Sequence, residues 1–346
     1  MTGSSSAGSG RSRSWRPGFP VEPRTILATF SRGSGDPCFR RDPTGTLWRA
    51  TRTPDGPVLL RLVTRPMDAE IVATAWGPGT DWALDGVPDL LGAGDDPAGF
   101  VPDPGHDRLV RAWRAHPGFR VPRSRAVFEA LAAAALEQRV TGVEAHRAWR
   151  ALVQGYGEPA PGPAAARRGR DHPVTGDGPA AGMRVPPAPR DWREIPSWVW
   201  LRAGVDEARR AVVLVGAAAA GRLEQTAADG LDPAEVIRRL RSLPGVGVWT
   251  CAEVRQRAHG HADAFSFADF HVARNVSWAL TGQVLDDAGC AELIEPYRGH
   301  RYRVQRLLEL DGATRPRRGP RMTLPGHLPG HLRGGPGVTP RRAVPG

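Results

Sequence analysis

The chain of 346 residues contains no lysine, so all 47 of its Lys and Arg positions are arginines. A guanidinium stays protonated and is not a nucleophile, so Schiff-base chemistry through a side-chain amine is excluded. Only the N-terminal amine is left for it, in a segment of disordered composition. Cysteine is scarce: Cys38, Cys251 and Cys290 stand far apart. Nothing forms the four-cysteine spacing of an iron–sulfur centre, and the three are expected to be buried free thiols. No apolar run reaches the roughly 20 residues of a membrane span. The longest, residues 211–220, follows Asp206-Glu207-Ala208-Arg209-Arg210 and is read as part of a core helix. Residues 1–20 lack the apolar core of a secretory signal, which leads to the expectation of a cytoplasmic protein without membrane contact.

Charge is present mainly at the ends. Of the net +11, residues 315–346 hold seven arginines and no acid, and residues 1–24 hold four arginines and one acid. The stretch between them is left at about +1. The basic excess therefore permits phosphate binding without showing it.

Composition divides the chain. Residues 1–20, rich in Gly, Ser and Arg, and residues 313–346, basic and rich in Pro and Gly, are expected to be disordered tails. Residues 21–86 carry strand patterns at 25–30, 47–51, 58–63 and 69–76, separated by turn signals such as Asp42-Pro43-Thr44-Gly45 and Pro54-Asp55-Gly56. From residue 87 to 312 the patterning is helical, interrupted at 157–190 by a Pro-, Gly-, Ala- and Arg-rich stretch read as a flexible insertion. The fold class expected is α+β, with a small antiparallel β domain followed by an all-helical region. His327 and His331, in the C-terminal tail, are too isolated for a metal site.

One stretch organises the helical region. Asp232 is placed to cap a helix, Pro233 suits its first position, and Glu235 stands where a capping box has its acid. Val236, Leu240 and Leu243 then recur at helical spacing. Leu243-Pro244-Gly245-Val246-Gly247 must break that helix, and a second begins at Val248-Trp249-Thr250. Amides left free at the second helix's start, with no side chain on either glycine, make a place where a phosphate can approach. By itself the pattern is also that of an ordinary helix–helix turn.

Residues 243–250, followed by Ala264-Phe265-Ser266-Phe267-Ala268-Asp269-Phe270-His271, resemble the helix-hairpin-helix and catalytic aspartate segment of the base-excision DNA glycosylases. Trp249 after the hairpin glycines, with the rest of the chain from about residue 25 to 312, resembles the AlkA-like 3-methyladenine DNA glycosylase II branch. The resemblance implies a monofunctional glycosylase that flips an alkylated purine (3-methyladenine or 7-methylguanine) out of double-stranded DNA and releases it by hydrolysis. It implies a monomer acting at the nucleoid. Related enzymes that also cut the strand usually carry a lysine where Trp249 stands here.

By the same resemblance Asp269 is the catalytic carboxylate, and Trp249, Glu253, Phe270 and His271 line the base pocket. Gln138, Arg139, Gly245, Val246, Gly247 and Thr250 meet DNA. No cofactor is implied beyond a structural Na+ or K+ on the carbonyls of Arg241, Leu243 and Val246. A cationic alkylated base is already a good leaving group. It needs an aromatic face and a carboxylate beside the sugar more than it needs an acid. Residue types alone leave alternatives. Asp269 suits the N-cap of the helix after it, and His271 suits a helix surface. Arg139 stands where an apolar wedge is expected, and is either a stacking wedge or a surface arginine. Glu253 stands where the branch has an aromatic, and Arg306 near where it has another. Two rival functions follow: a DNA-binding relative that has lost its chemistry, and a glycosylase for deaminated bases such as hypoxanthine or uracil, with Glu253 as the acid.

Overall fold

Three segments of β-branched and apolar residues between positions 47 and 76 form the centre of a five-stranded antiparallel sheet. The computed structural model describes residues 10–164 and 178–315. Its sheet runs in the order β1 (Arg11–Trp15), β5 (Glu70–Trp76), β4 (Gly56–Arg65), β3 (Leu47–Thr53), β2 (Phe39–Arg41). Successive β4 residues point to opposite faces. Val58, Leu60 and Leu62 pack under α1 (Pro23–Leu27), α2 (Thr80–Asp85) and α3 (Val87–Leu90), while Leu59 faces Trp48, Ala160, Met183 and Val185. Both faces are thus covered. Trp48 lies opposite Arg61 in the ladder, and the guanidinium rests 5.5 Å from the indole.

Three expectations are corrected here. Residues 25–30 are not a strand: they form α1 and a 3-10 turn, Ala28–Phe30. Ile26 and Leu27, adjacent in sequence, are both buried in the same cluster, which a strand's alternation would forbid. Residues 11–15 are not a disordered tail either. β1 pairs with the open edge of β5, from Arg11 opposite Ala75 to Trp15 opposite Ile71, and Arg11 and Arg13 bridge to Asp81 and Asp85. The ordered ends of the 157–190 stretch form a short ladder of β6 (Glu158–Pro159) with β7 (Arg184–Val185) and cover the sheet's second face. Residues 165–177 of that stretch, and the tail holding His327 and His331, lie outside the described residues.

The helical region has two cores. The first gathers around α5 (Val127–Glu137), whose five buried alanines let its neighbours approach closely. These neighbours include α6 (Gly142–Tyr156), α9 (Glu207–Ala218), α10 (Ala220–Glu224) and α12 (Val248–Val254), with α7 (Pro189–Glu194), α8 (Ser197–Arg202) and α11 (Pro233–Arg241) completing the layer. A Cβ on Gly216 of α9 would stand 2.7 Å from Leu131 of α5. The second core joins α4 (Asp107–Ala115) to α13 (Val272–Thr281), α14 (Asp287–Leu293) and α15 (Arg301–Leu310), around Leu109, Phe119, Val276 and Leu307. Arg303 is fully buried there and forks onto both oxygens of Asp95 at 2.7 and 3.0 Å, so neither charge is left unpaired. The chain passes from the first core to the second between α12 and α13. No helix among the described residues is long and apolar enough to cross a membrane.

Candidate active site

The hairpin forms as its residue types require. Asp232 accepts the Ala234 N–H at 3.0 Å, Pro233 occupies the first turn of α11, and Val236 and Leu240 face the core. Glu235 does not close a capping box; it pairs with Arg238 and Arg239 on the outer face. Pro244 ends the helix. The two glycines then serve different needs. Gly245 has φ +81°, and a Cβ there would lie 2.4 Å from Val212 Cγ2, so the fold itself demands glycine. Gly247 has φ −82° and an ideal Cβ would meet nothing within 4 Å. The fold does not require glycine at 247, so its bareness leaves room for something outside the protein to approach the first amides of α12.

Gln138 fastens the α5–α6 turn to the hairpin: its Nε2 donates to the Gly245 carbonyl at 3.1 Å and to Thr250 Oγ1 at 2.8 Å. The next residue, Arg139, is exposed and sits at φ 55°, a left-handed conformation that turns the chain sharply at the tip. Thr141 closes the turn with a capping box to Glu144. Arg139 is thus aimed outward from a tip whose base is bonded to the hairpin.

Asp269 lies twenty residues beyond Trp249 in sequence and beside it in space. The indole N–H of Trp249 donates to Asp269 Oδ2 at 3.0 Å. The other oxygen, Oδ1, accepts the backbone N–H groups of His271 at 2.7 Å and Val272 at 3.0 Å. Asp269 therefore accepts amides at the start of α13 with one oxygen and the Trp249 indole with the other. Three donors pin a half-exposed carboxylate at the passage between the two cores. Phe270 is 68 % exposed, and Arg274 lies over its ring at 5.1 Å. His271 is exposed and packs edge-on against Phe270.

Glu253 stands differently from its expected place on the pocket wall. It is buried, with Oε1 accepting the Ser266 hydroxyl at 2.7 Å and Oε2 accepting Arg257 at 2.5 Å. Burial pushes its carboxyl up, and the Arg257 guanidinium opposes that. Buried and bonded on both oxygens, the acid ties α12 to the loop before Asp269. Arg306 pairs with Glu309 on α15. The sequence pattern did not single out Ser266, three residues before Asp269, or Gln256 and Gln305, which both bond to it. The signal for them was a small polar residue held between Phe265 and Phe267, whose rings lie 4.6 Å apart.

Cys38, Cys251 and Cys290 are buried and unbonded, and burial pushes the Cys290 thiol up to about 12. No group of three or more metal-ligating His, Cys, Asp or Glu side chains occurs among the described residues.

No protein-family model and no curated protein matches the chain. Solved structures do. The chain is similar to the 3-methyladenine DNA glycosylase from Archaeoglobus fulgidus, with 17 % identity and a TM-score of 0.65, over 87 % of this chain and 98 % of that one. It is also similar to the 8-oxoguanine glycosylase/lyase from Clostridium acetobutylicum, solved with double-stranded DNA, with 10 % identity and a TM-score of 0.59, over 87 % and 96 %. At these identities the likeness shows the fold alone.

Proposed function

We propose that the chain is a DNA glycosylase of base-excision repair, hydrolytic and without strand cleavage, acting on alkylated purines. The observation that carries this reading is Asp269, held as a triply bonded carboxylate beside Trp249 at the mouth of the hairpin. A base cannot be reached inside the duplex, so the nucleotide is flipped out at a cost of roughly a few kcal/mol. The α12 amides behind Gly247 grip the backbone, and Arg139 fills the gap in the stack. As the glycosidic bond breaks, the sugar becomes cationic. Asp269 faces that charge and orients the incoming water. Trp249 offers an aromatic surface to a positively charged base while its N–H edge holds the carboxylate.

The carbonyls of Arg241, Leu243 and Val246 would hold a Na+ or K+ in the hairpin. Neutral carbonyl oxygens suit a hard monovalent cation, and Leu243 already takes the Val246 N–H at 3.1 Å within the same turn. Such an ion would stiffen the grip on DNA and supplies nothing to bond breaking.

The lysine-free composition favours hydrolysis over strand cleavage, in contrast to the C. acetobutylicum enzyme's description as a glycosylase/lyase. Burial of Glu253, with its bonds to Arg257 and Ser266, supports alkylated over deaminated bases as substrates.

The test is single-turnover base release from a duplex carrying 7-methylguanine, with Asp269→Asn beside the wild type. We expect release to fall by at least about 100-fold in the variant while DNA affinity holds. We also expect borohydride to trap no enzyme–DNA adduct with either protein. Equal release by both proteins would remove Asp269 from the chemistry. Binding by the wild type with no release from this duplex or from a hypoxanthine duplex would favour a DNA-binding protein without catalysis.

A further inference from the structure

The connection from α12 to α13 contains a residue that no exposed surface accounts for. Ser266 is 0 % exposed and sits three residues before Asp269. Its backbone N–H donates to Gln305 Oε1 at 3.0 Å, and its hydroxyl donates to Glu253 Oε1 at 2.7 Å. The hydroxyl oxygen accepts Gln256 Nε2 at 2.8 Å and Gln305 Nε2 at 3.1 Å. One donor and two lone pairs are all a hydroxyl has, and all are used. The partners come from two elements: Glu253 on α12 with Gln256 in the π-helical turn that continues it, and Gln305 on α15. Gln256 also donates to the Ala264 carbonyl at 2.6 Å, gripping the loop at a second point.

The loop needs such a grip. Ala268, directly before Asp269, is held at φ 62°, a left-handed conformation costly for a residue with a Cβ. Its N–H is taken by Asp287 on α14 at 2.8 Å. A relaxed Ala268 would rotate the following carboxylate away from the Trp249 indole. Trp249 and Glu253 share α12, one helical turn apart, so one rigid element holds Asp269 directly through the indole and indirectly through Ser266.

We propose that Ser266 is the positioning residue of this site: its four hydrogen bonds fasten the strained Ala268–Asp269 segment to α12 and α15, and so set the Asp269 carboxylate against the indole N–H of Trp249. This rests on the reading of Asp269 as the catalytic carboxylate, and it makes Glu253 part of the support for that carboxylate. Ser266 touches neither the base nor the sugar. Buried hydrogen-bond networks of this kind are unforgiving, because deleting the central hydroxyl takes a bond from three polar partners at once.

The experiment compares wild type, Ser266→Ala, Asp269→Asn and the double variant in two measurements. The first is single-turnover release of 7-methylguanine at saturating enzyme, with affinity for an abasic-site duplex beside it. We expect Ser266→Ala to slow release by about 10- to 100-fold with DNA affinity nearly unchanged. In the Asp269→Asn background the same substitution should have almost no effect, since the residue acts through that carboxylate. The second measurement is the Trp249 indole N–H resonance, assigned by its loss in Trp249→Phe. It should move in Ser266→Ala toward its position in Asp269→Asn.

An equal loss of rate in both backgrounds, or a loss matched by weakened DNA binding, would overturn the proposal. An unmoved indole resonance would overturn it whatever the activity. Wild type that releases no base, with the resonance shifting as expected, would sink the glycosylase reading and leave the positioning role standing. If Ser266→Ala does not fold, Ser266→Cys keeps the shape and a weak donor, and the same outcomes decide.

Discussion

At the scale of single residues, Trp249 does something a stacking surface alone would not. Among the described residues its indole N–H is one of three donors on Asp269, and the only one from a side chain. A carboxylate meant to face a developing cation must be held in place, and a fixed N–H donor does this without adding a charge of its own. Trp249→Phe keeps a ring for the base and removes that donor. We expect it to slow base release by about 10- to 100-fold while DNA affinity stays within about threefold, because one hydrogen bond to a charged group is worth roughly 1.5–3 kcal/mol. Measured kcat and KM under steady state would separate the two roles. A rise in KM with kcat unchanged would mean that Trp249 only stacks. Glu253 teaches the complementary lesson. Its partner Arg257 lies four residues on, the spacing at which Glu and Arg pair along a helix, so its engagement was legible in the sequence. Its second partner, Ser266, was not, since only the fold brings the loop back onto α12.

At the scale of the element, the hairpin glycines can be told apart by substitution. Gly245→Ala must place a Cβ at φ +81° and 2.4 Å from Val212, and we expect it to destabilise the protein by about 1–3 kcal/mol. Gly247→Ala meets no neighbour and has an ordinary φ, so its cost in stability should stay under about 1 kcal/mol. Its cost should appear in affinity for duplex DNA, undamaged as well as damaged. Thermal unfolding and a binding titration on both variants check this, and a Gly247→Ala protein that binds normally would mean that nothing approaches those amides. The hairpin was readable because Pro, Gly and capping residues act locally. Strand β1 was not: its five residues are held by the ladder to β5 and by Arg11 and Arg13 on the acids of α2, partners about sixty to seventy residues away. The same holds for residues 178–185, whose composition reads as a linker and whose Ala180, Met183 and Val185 nevertheless cover Trp48 and Leu59. Helix α1 was read as a strand, because the joint burial of Ile26 and Leu27 depends on the sheet beneath.

At the scale of the whole molecule, partly buried titratable groups make stability depend on pH in two opposing ways. Burial raises Glu224 to about 7, even though it accepts the Val127 and Phe128 N–H groups at the start of α5. Its folded form holds a proton that the unfolded chain releases near 4.5, so its contribution is present below that pH and is lost as pH rises through 7. Burial lowers His259 to about 4, and His261 likewise. These resist a proton that the unfolded chain takes up near 6.5, so their contribution is present above 6.5 and is lost as pH falls toward 4. Between pH 4.5 and 7 the two effects oppose each other and flatten the curve. Glu224→Gln removes one of them. Relative to wild type, the variant should gain on the order of 3 kcal/mol in unfolding free energy as pH goes from 4.5 to 8. A constant offset from the altered hydrogen bonds would be superimposed. Urea midpoints at half-unit pH steps decide the matter: a difference between the two proteins that does not change with pH would mean that Glu224 is already ionised at the foot of α5.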